Sequence, residues 1–195
     1  MNHKALSFRE RLRQAGSELH QQVDDVFSSY RLTEREGYQA FLVAHASALF
    51  PLEEMLERAG IQQLVPDWTE RCRRFALAED LASLGVELPS YEPLDLYPGE
   101  AAQWGFAYVL EGSRLGGKML ARIVSTSPDS RVREALRYLT HVPRGGHNSW
   151  PAFLQELECQ AAKWPDQDVF EGQAQAFAVF LKAGQRFRPL DSSVI

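Results

Sequence analysis

Apolar residues recur in this chain at three- and four-residue steps almost from end to end, and nowhere alternate with polar ones over the length of a strand. That period belongs to helices. The chain therefore reads as all-α, with about seven to nine helices. The most informative stretch runs from Trp104 to Val124, WGFAYVLEGSRLGGKMLARIV. Its spacing is helical and no proline interrupts it, yet Gly112, Gly116 and Gly117 fall in its middle. Each interior glycine costs a helix roughly 1 kcal/mol relative to alanine, so the helix should weaken or bend there. Gly112 and Gly116 are four apart and share one face. A face without side chains accepts either a second helix or something flat pressed onto the backbone.

A second stretch, Leu12 to Asp24 (LRQAGSELHQQVD), reads as a polar helix with one histidine, His20. Asp24 stands one turn further on the same face. A carboxylate there can accept the proton of one ring nitrogen and leave the other free for a metal. The plainer reading is an ordinary i,i+4 contact worth a few tenths of a kcal/mol.

Taken together, the two stretches resemble the heme oxygenase family. Its members carry an N-terminal helix of the form basic-x-x-T-x-x-x-H and a later helix of the form G-[DS]-x-x-G-G. Here these read Arg13-Gln-Ala-Gly-Ser-Glu-Leu-His20 and Gly112-Ser-Arg-Leu-Gly-Gly117, about ninety residues apart, as in the family. Tyr38–Leu42 and Pro51–Glu53 match its Y-x-x-F-L and P-L-E elements. The form YVLEGSxLGG is most similar to the bacterial biliverdin-producing branch, including enzymes that supply bacteriophytochromes. The resemblance spans about Phe8 to Phe187. It implies a helical bundle holding heme between the first helix and a glycine-kinked distal helix.

Composition agrees with such a fold. The 195 residues fit one domain, 1–195, with an ordered core of about 7–187. Apolar content of 45% and charged content of 24% are those of a globular protein, and a net charge of −5 argues against nucleic-acid binding. Cys72 and Cys159 have no metal-ligand spacing. The charged N-terminus lacks the apolar core of a signal peptide, and no apolar run reaches membrane-spanning length, so a cytoplasmic protein is expected.

In chain order, Ser7 with Glu10 forms a capping box opening a helix through about Ser28. Thr33 with Glu36 forms a second, opening a helix to about Gly60 that Pro51 should kink. Pro66 and Asp67 open a helix through Trp68, Phe75 and Leu81, ending near Gly85. Prolines 89, 93 and 98 forbid regular structure from Gly85 to Glu100, where Leu88, Tyr91, Leu94 and Tyr97 read as packed on the body. Ser127 or Asp129 caps a helix through Leu136 and Leu139. His141 and His147 read as turn residues, and His45 as structural. Trp150 to Trp164 and Asp168 to Phe187 complete the set.

The resemblance assigns roles. His20 would be the proximal iron ligand and Asp24 its orienting partner. Gly112, Gly116 and Gly117 would let the distal backbone touch heme and aim bound oxygen at one porphyrin edge. Ser113 stands where animal enzymes carry an acid; its hydroxyl can hold a water but is no proton reservoir. Gly16 replaces the usual threonine. Arg13 and Tyr108 would bind the propionates. Other members place a basic residue early in the helix corresponding to Trp150–Trp164, where Trp150, Ala152 and Phe153 stand here. Phe177, Phe180 and Phe27 are candidate pocket aromatics. The implied activity is oxygen-dependent cleavage of heme to biliverdin, carbon monoxide and ferrous iron, with opening at the α-meso carbon. A ferredoxin- or reductase-type donor would supply electrons, since the chain has no flavin or nicotinamide motif. The alternative on the same fold is a non-catalytic heme or bilin carrier. A di-iron carboxylate enzyme would need Glu-x-x-His elements, and none occurs.

Overall fold

A computed structural model gives the fold and describes residues 6–143, 146 and 149–188. Every regular element among them is helical: α1 Phe8–Ala15, α2 Ser17–Ser28, α3 Arg35–Arg58, α4 Trp68–Arg71, α5 Arg74–Ser83, α6 Glu100–Gly112, α7 Arg114–Val124, α8 Ser130–Glu134, α9 Arg137–Thr140, α10 Ser149–Gln160 and α11 Asp166–Arg186, with short 3-10 turns at Ile61–Gln63 and Ala161–Lys163.

Ser7 and Glu10 form the expected capping box at α1. The first helix then breaks at Gly16. A Cβ there would collide with the end of the Gln173 side chain in α11, so a threonine at 16 would require the buried Gln173 to shift. The second expected capping box is absent. α3 starts at Arg35 behind Glu34, without a side-chain cap. Pro51 does not end α3, which runs on to Arg58. The helix is buried from Tyr38 to Leu56 along most of its length, and that packing outweighs the one backbone bond that proline cannot make.

α11 packs across α6, α3 and α2 and organises the bundle. Its crossing with α6 is backbone-close: a Cβ on Gly105 would strike the carbonyl of Val169, and one on Gly172 that of Ala102. This contact fixes the position of α6, and hence of the glycine-bearing segment that α6 delivers.

Two helices expected to be continuous are split, each at a buried carboxylate from elsewhere. Between α4 and α5, Glu53 of α3 accepts from the N–H groups of Arg73 (2.8 Å) and Arg74 (3.2 Å). Between α8 and α9, Asp80 of α5 accepts from Arg137 (3.1 Å) and Tyr138 (2.8 Å). Each carboxylate caps a new helix N-terminus. Asp129 caps α8 through Arg131 N–H. In the proline-rich segment, Tyr91 Oη donates to Glu54 (2.7 Å) and Leu94 accepts from Arg58. Leu88 and Tyr97, expected to pack, are exposed, as is Phe75, whose ring lies under Arg74.

Candidate active site

The site has two walls. α2 is the first, and none of its residues is fully buried: Leu19, Val23, Val26 and Phe27 are half covered against α11, and the rest face solvent. On this helix His20 Nδ1 lies 3.3 Å from Asp24 Oδ2, with side chains 63% and 58% exposed. The expected pair therefore forms. With Nδ1 turned to the carboxylate, Nε2 has no protein partner among the described residues. The ring stands edge-on to Phe177 of α11, 5.7 Å between centroids.

The second wall is the segment around the α6–α7 break. The helix is interrupted at Ser113, as the glycines predict. Gly116 is open: no atom lies within 4 Å of a Cβ built on it. At Gly112 such an atom would touch only the Trp150 ring, at 3.5 Å. Gly117 differs from expectation. Its Cβ would lie 2.6 Å from the carbonyl of Leu139, so its bare backbone serves packing on α9 rather than the open face. The open face continues instead through Met119 and Ile123, with Leu115 beside it, all exposed apolar side chains at helical spacing from Gly112 and Gly116. Sequence reasoning missed these three, because an i, i+4, i+8 apolar row reads as core until the fold shows nothing lying against it.

The two walls do not pack extensively on each other. At one end Phe27 of α2 contacts His45 of α3 (4.4 Å), which contacts Tyr138 of α9 (5.5 Å) beneath α7. His45 Nδ1–H donates to Phe41 O at 2.9 Å, and burial among Phe27, Phe41, Tyr138 and Phe180 pushes its pKa down to about 3, so it is neutral and structural, as expected. At the other end stand Arg13 of α1 and Tyr108 of α6. Burial raises the Tyr108 pKa, and the positive charges of Arg9 and Arg13 oppose the rise. Trp150 of α10 stands 5.5 Å from the Tyr108 ring and closes the corner at Gly112.

A buried charge network anchors the break. Arg73 Nη2 donates to Leu110 O (2.8 Å) and Ser113 Oγ (2.6 Å), while Ser113 Oγ–H donates to Leu110 O (2.8 Å). The Ser113 hydroxyl thus has its proton committed and keeps one acceptor position for a water. Glu111, 1% exposed, pairs with Arg71 (2.6 Å) and Arg114 (2.9 Å). Arg114 also reaches Arg71 O and His141 Nδ1, and burial beside it lowers the His141 pKa to about 4. His147 lies outside the described residues. No group of three or more His, Cys, Asp or Glu is placed to hold a metal among the described residues, so an iron bound here has to bring its other ligands with it.

A heme oxygenase of Xanthomonas campestris is 32% identical to this chain over 148 residues, 74% of this chain and 87% of its own length. The chain belongs to the heme oxygenase family. Heme oxygenase PigA of Pseudomonas aeruginosa is 27% identical over 154 residues, 76% of each heme oxygenase chain. The fold agrees with the crystal structures of NO- and CO-bound heme oxygenase from Neisseria meningitidis, at a TM-score of 0.77 and 22% identity over 97% of this chain and 96% of that one. No family model matches. Among the described residues no helix is long and apolar enough to cross a membrane.

Proposed function

We propose that this chain is a working heme oxygenase, cleaving heme with molecular oxygen to biliverdin, carbon monoxide and ferrous iron. One combination supports the reading: an imidazole oriented by a carboxylate, with its second nitrogen uncommitted, and an open glycine face on a helix that does not pack extensively on the imidazole's own. In this reading heme, the substrate, lies between α2 and α7. His20 binds iron through Nε2, and Asp24 holds the ring by its Nδ1–H. Gly112 and Gly116 let the distal backbone approach the porphyrin, and Leu115, Met119 and Ile123 cover its apolar surface. Phe177 supports the proximal ring. Arg13 and Tyr108 take the propionates, which fixes the rotation of the macrocycle and presents the α-meso edge to oxygen. Ser113 accepts a bond from a distal water. Electrons come from a separate ferredoxin- or reductase-type protein. A bacteriophytochrome is the proposed recipient of biliverdin, on the form of the distal motif.

Aerobic incubation of the hemin complex with ascorbate tests the activity. The Soret band should fall while absorbance grows in the biliverdin region. A Soret band that persists would leave a heme carrier in place of an enzyme. His20→Ala should remove the histidine signature of the ferric spectrum, and an unchanged spectrum excludes His20 as ligand.

A further inference from the structure

From Phe75 to Ser113 the chain has no lysine, arginine or histidine. The proline-rich strap 85–99 lies within that stretch, and its carboxylates Glu87, Glu92 and Asp95 are exposed. None of the three has an ion-pair or hydrogen-bond partner among the described residues, whereas Glu79, just before the strap, is held by Arg137 at 3.2 Å. Among these carboxylates stand Leu88, Leu96 and Tyr97, 43%, 37% and 82% exposed. The backbone is open as well. From Glu87 to Tyr97 no main-chain N–H donates to a described residue, and only the Leu94 carbonyl accepts, from Arg58 at 2.8 Å.

Yet the strap is held in place. Tyr91 packs on Phe50 (5.5 Å) and donates to Glu54 (2.7 Å), Gln103 donates to Pro98 O (3.0 Å), and three prolines restrict the backbone. An extended edge fixed in this way costs a partner little ordering entropy. Glu54 lies about 13 Å along α3 from His45, so the strap is set apart from that end of the heme site. The charges narrow the occupant. They repel nucleic acid and anionic lipid. Among the described residues no group of three or more His, Cys, Asp or Glu is placed to hold a metal. A two-fold contact with a second copy would set the strap carboxylates against themselves.

We propose that residues 87–97 are a docking edge for a second protein, which lays along it an extended segment of lysine or arginine alternating with apolar residues. The backbone of that segment pairs with the open N–H and C=O groups, its cations meet Glu87, Glu92 and Asp95, and its apolar side chains cover Leu88, Leu96 and Tyr97. Pro89 and Pro93 donate no hydrogen bond, which confines the pairing chiefly to Leu94–Tyr97 and keeps the strap from joining copies of itself. This surface is independent of the reading of the heme site.

The probe is a peptide of about ten residues alternating lysine and valine, long enough to span the strap, added to the full chain. Peptides alternating glutamate with valine and lysine with serine are the controls. Amide hydrogen exchange should slow at 94–97 with the lysine–valine peptide alone. The triple variant Glu87→Gln, Glu92→Gln, Asp95→Asn should bind it at least tenfold more weakly, and Tyr97→Ser about tenfold more weakly, while both keep the parent's rate of ascorbate-driven heme loss. Asp168→Asn with Glu171→Gln, on exposed positions of α11, should bind it as the parent does. Unchanged exchange at 94–97 overturns the proposal, as does equal binding of either control peptide or an equal loss in the α11 variant. A parent dimer in sedimentation that Tyr97→Ser abolishes gives the edge to a second copy and overturns it too.

Discussion

Gly116 and Gly117 are neighbours with opposite surroundings, and substitution separates their roles. A side chain on Gly116 meets open space. Gly116→Leu should therefore leave unfolding free energy at least equal to the parent's, with a gain of up to about 1 kcal/mol from helix propensity, while abolishing heme oxidation. Gly117→Ala pushes a methyl to 2.6 Å from the Leu139 carbonyl and should cost about 1–3 kcal/mol in urea unfolding. His45 makes a second prediction. Burial holds its pKa near 3 in the folded chain, below its ordinary 6.5. Below pH 6.5 the unfolded chain binds a proton that the folded chain refuses, so stability is lost as pH falls. Between pH 7 and 5 the parent should lose up to about 2 kcal/mol more than His45→Gln, measured by urea unfolding at both values. At this scale the sequence was readable where partners are close in the chain. His20 and Asp24 are one turn apart, and their contact follows from helical geometry. The duty of Gly117 was not readable, because it depends on where α9 lies.

Among the elements, the α6–α7 break is the part on which the site depends. Glycines make bending cheap, and the Arg71–Glu111–Arg114 cluster with Arg73 holds the bend in one shape. Glu111→Leu leaves Arg114 without its buried partner and Arg71 with only Asp67. It should cost about 3–5 kcal/mol in chemical denaturation, well above the cost of losing an exposed pair such as Arg31–Glu34. The bend was legible in Gly112, Gly116 and Gly117; the clamp was not. Arg71 and Arg73 look like solvated charges on a helix face, and only the third dimension brings them to α6, while Arg74 meets Glu53 and Glu57 of α3. The splits between α4 and α5 and between α8 and α9 escaped for the same reason. Glu53 and Asp80 cap helices about twenty and nearly sixty positions away, so no local signature marks them.

For the whole molecule, a ligand that closes the gap adds stability by mass action. Hemin at a hundred times its Kd should contribute about 2.7 kcal/mol, or roughly 5–10 °C in Tm for a chain of this size. A thermal melt checks this, and His20→Ala should lose most of the gain. Fold class and helix order were open to sequence reading, because helical periodicity survives in every long element. What covers the apolar rows of α2 and α7 was not, since they have the same pattern whether a helix or a ligand lies against them. The half-covered state of α2 has an outcome for the life of the protein. A segment held this loosely opens far more often than the core, and a protease acts on what opens. Limited proteolysis should therefore nick the chain first between residues 17 and 28, and added hemin should slow that cut.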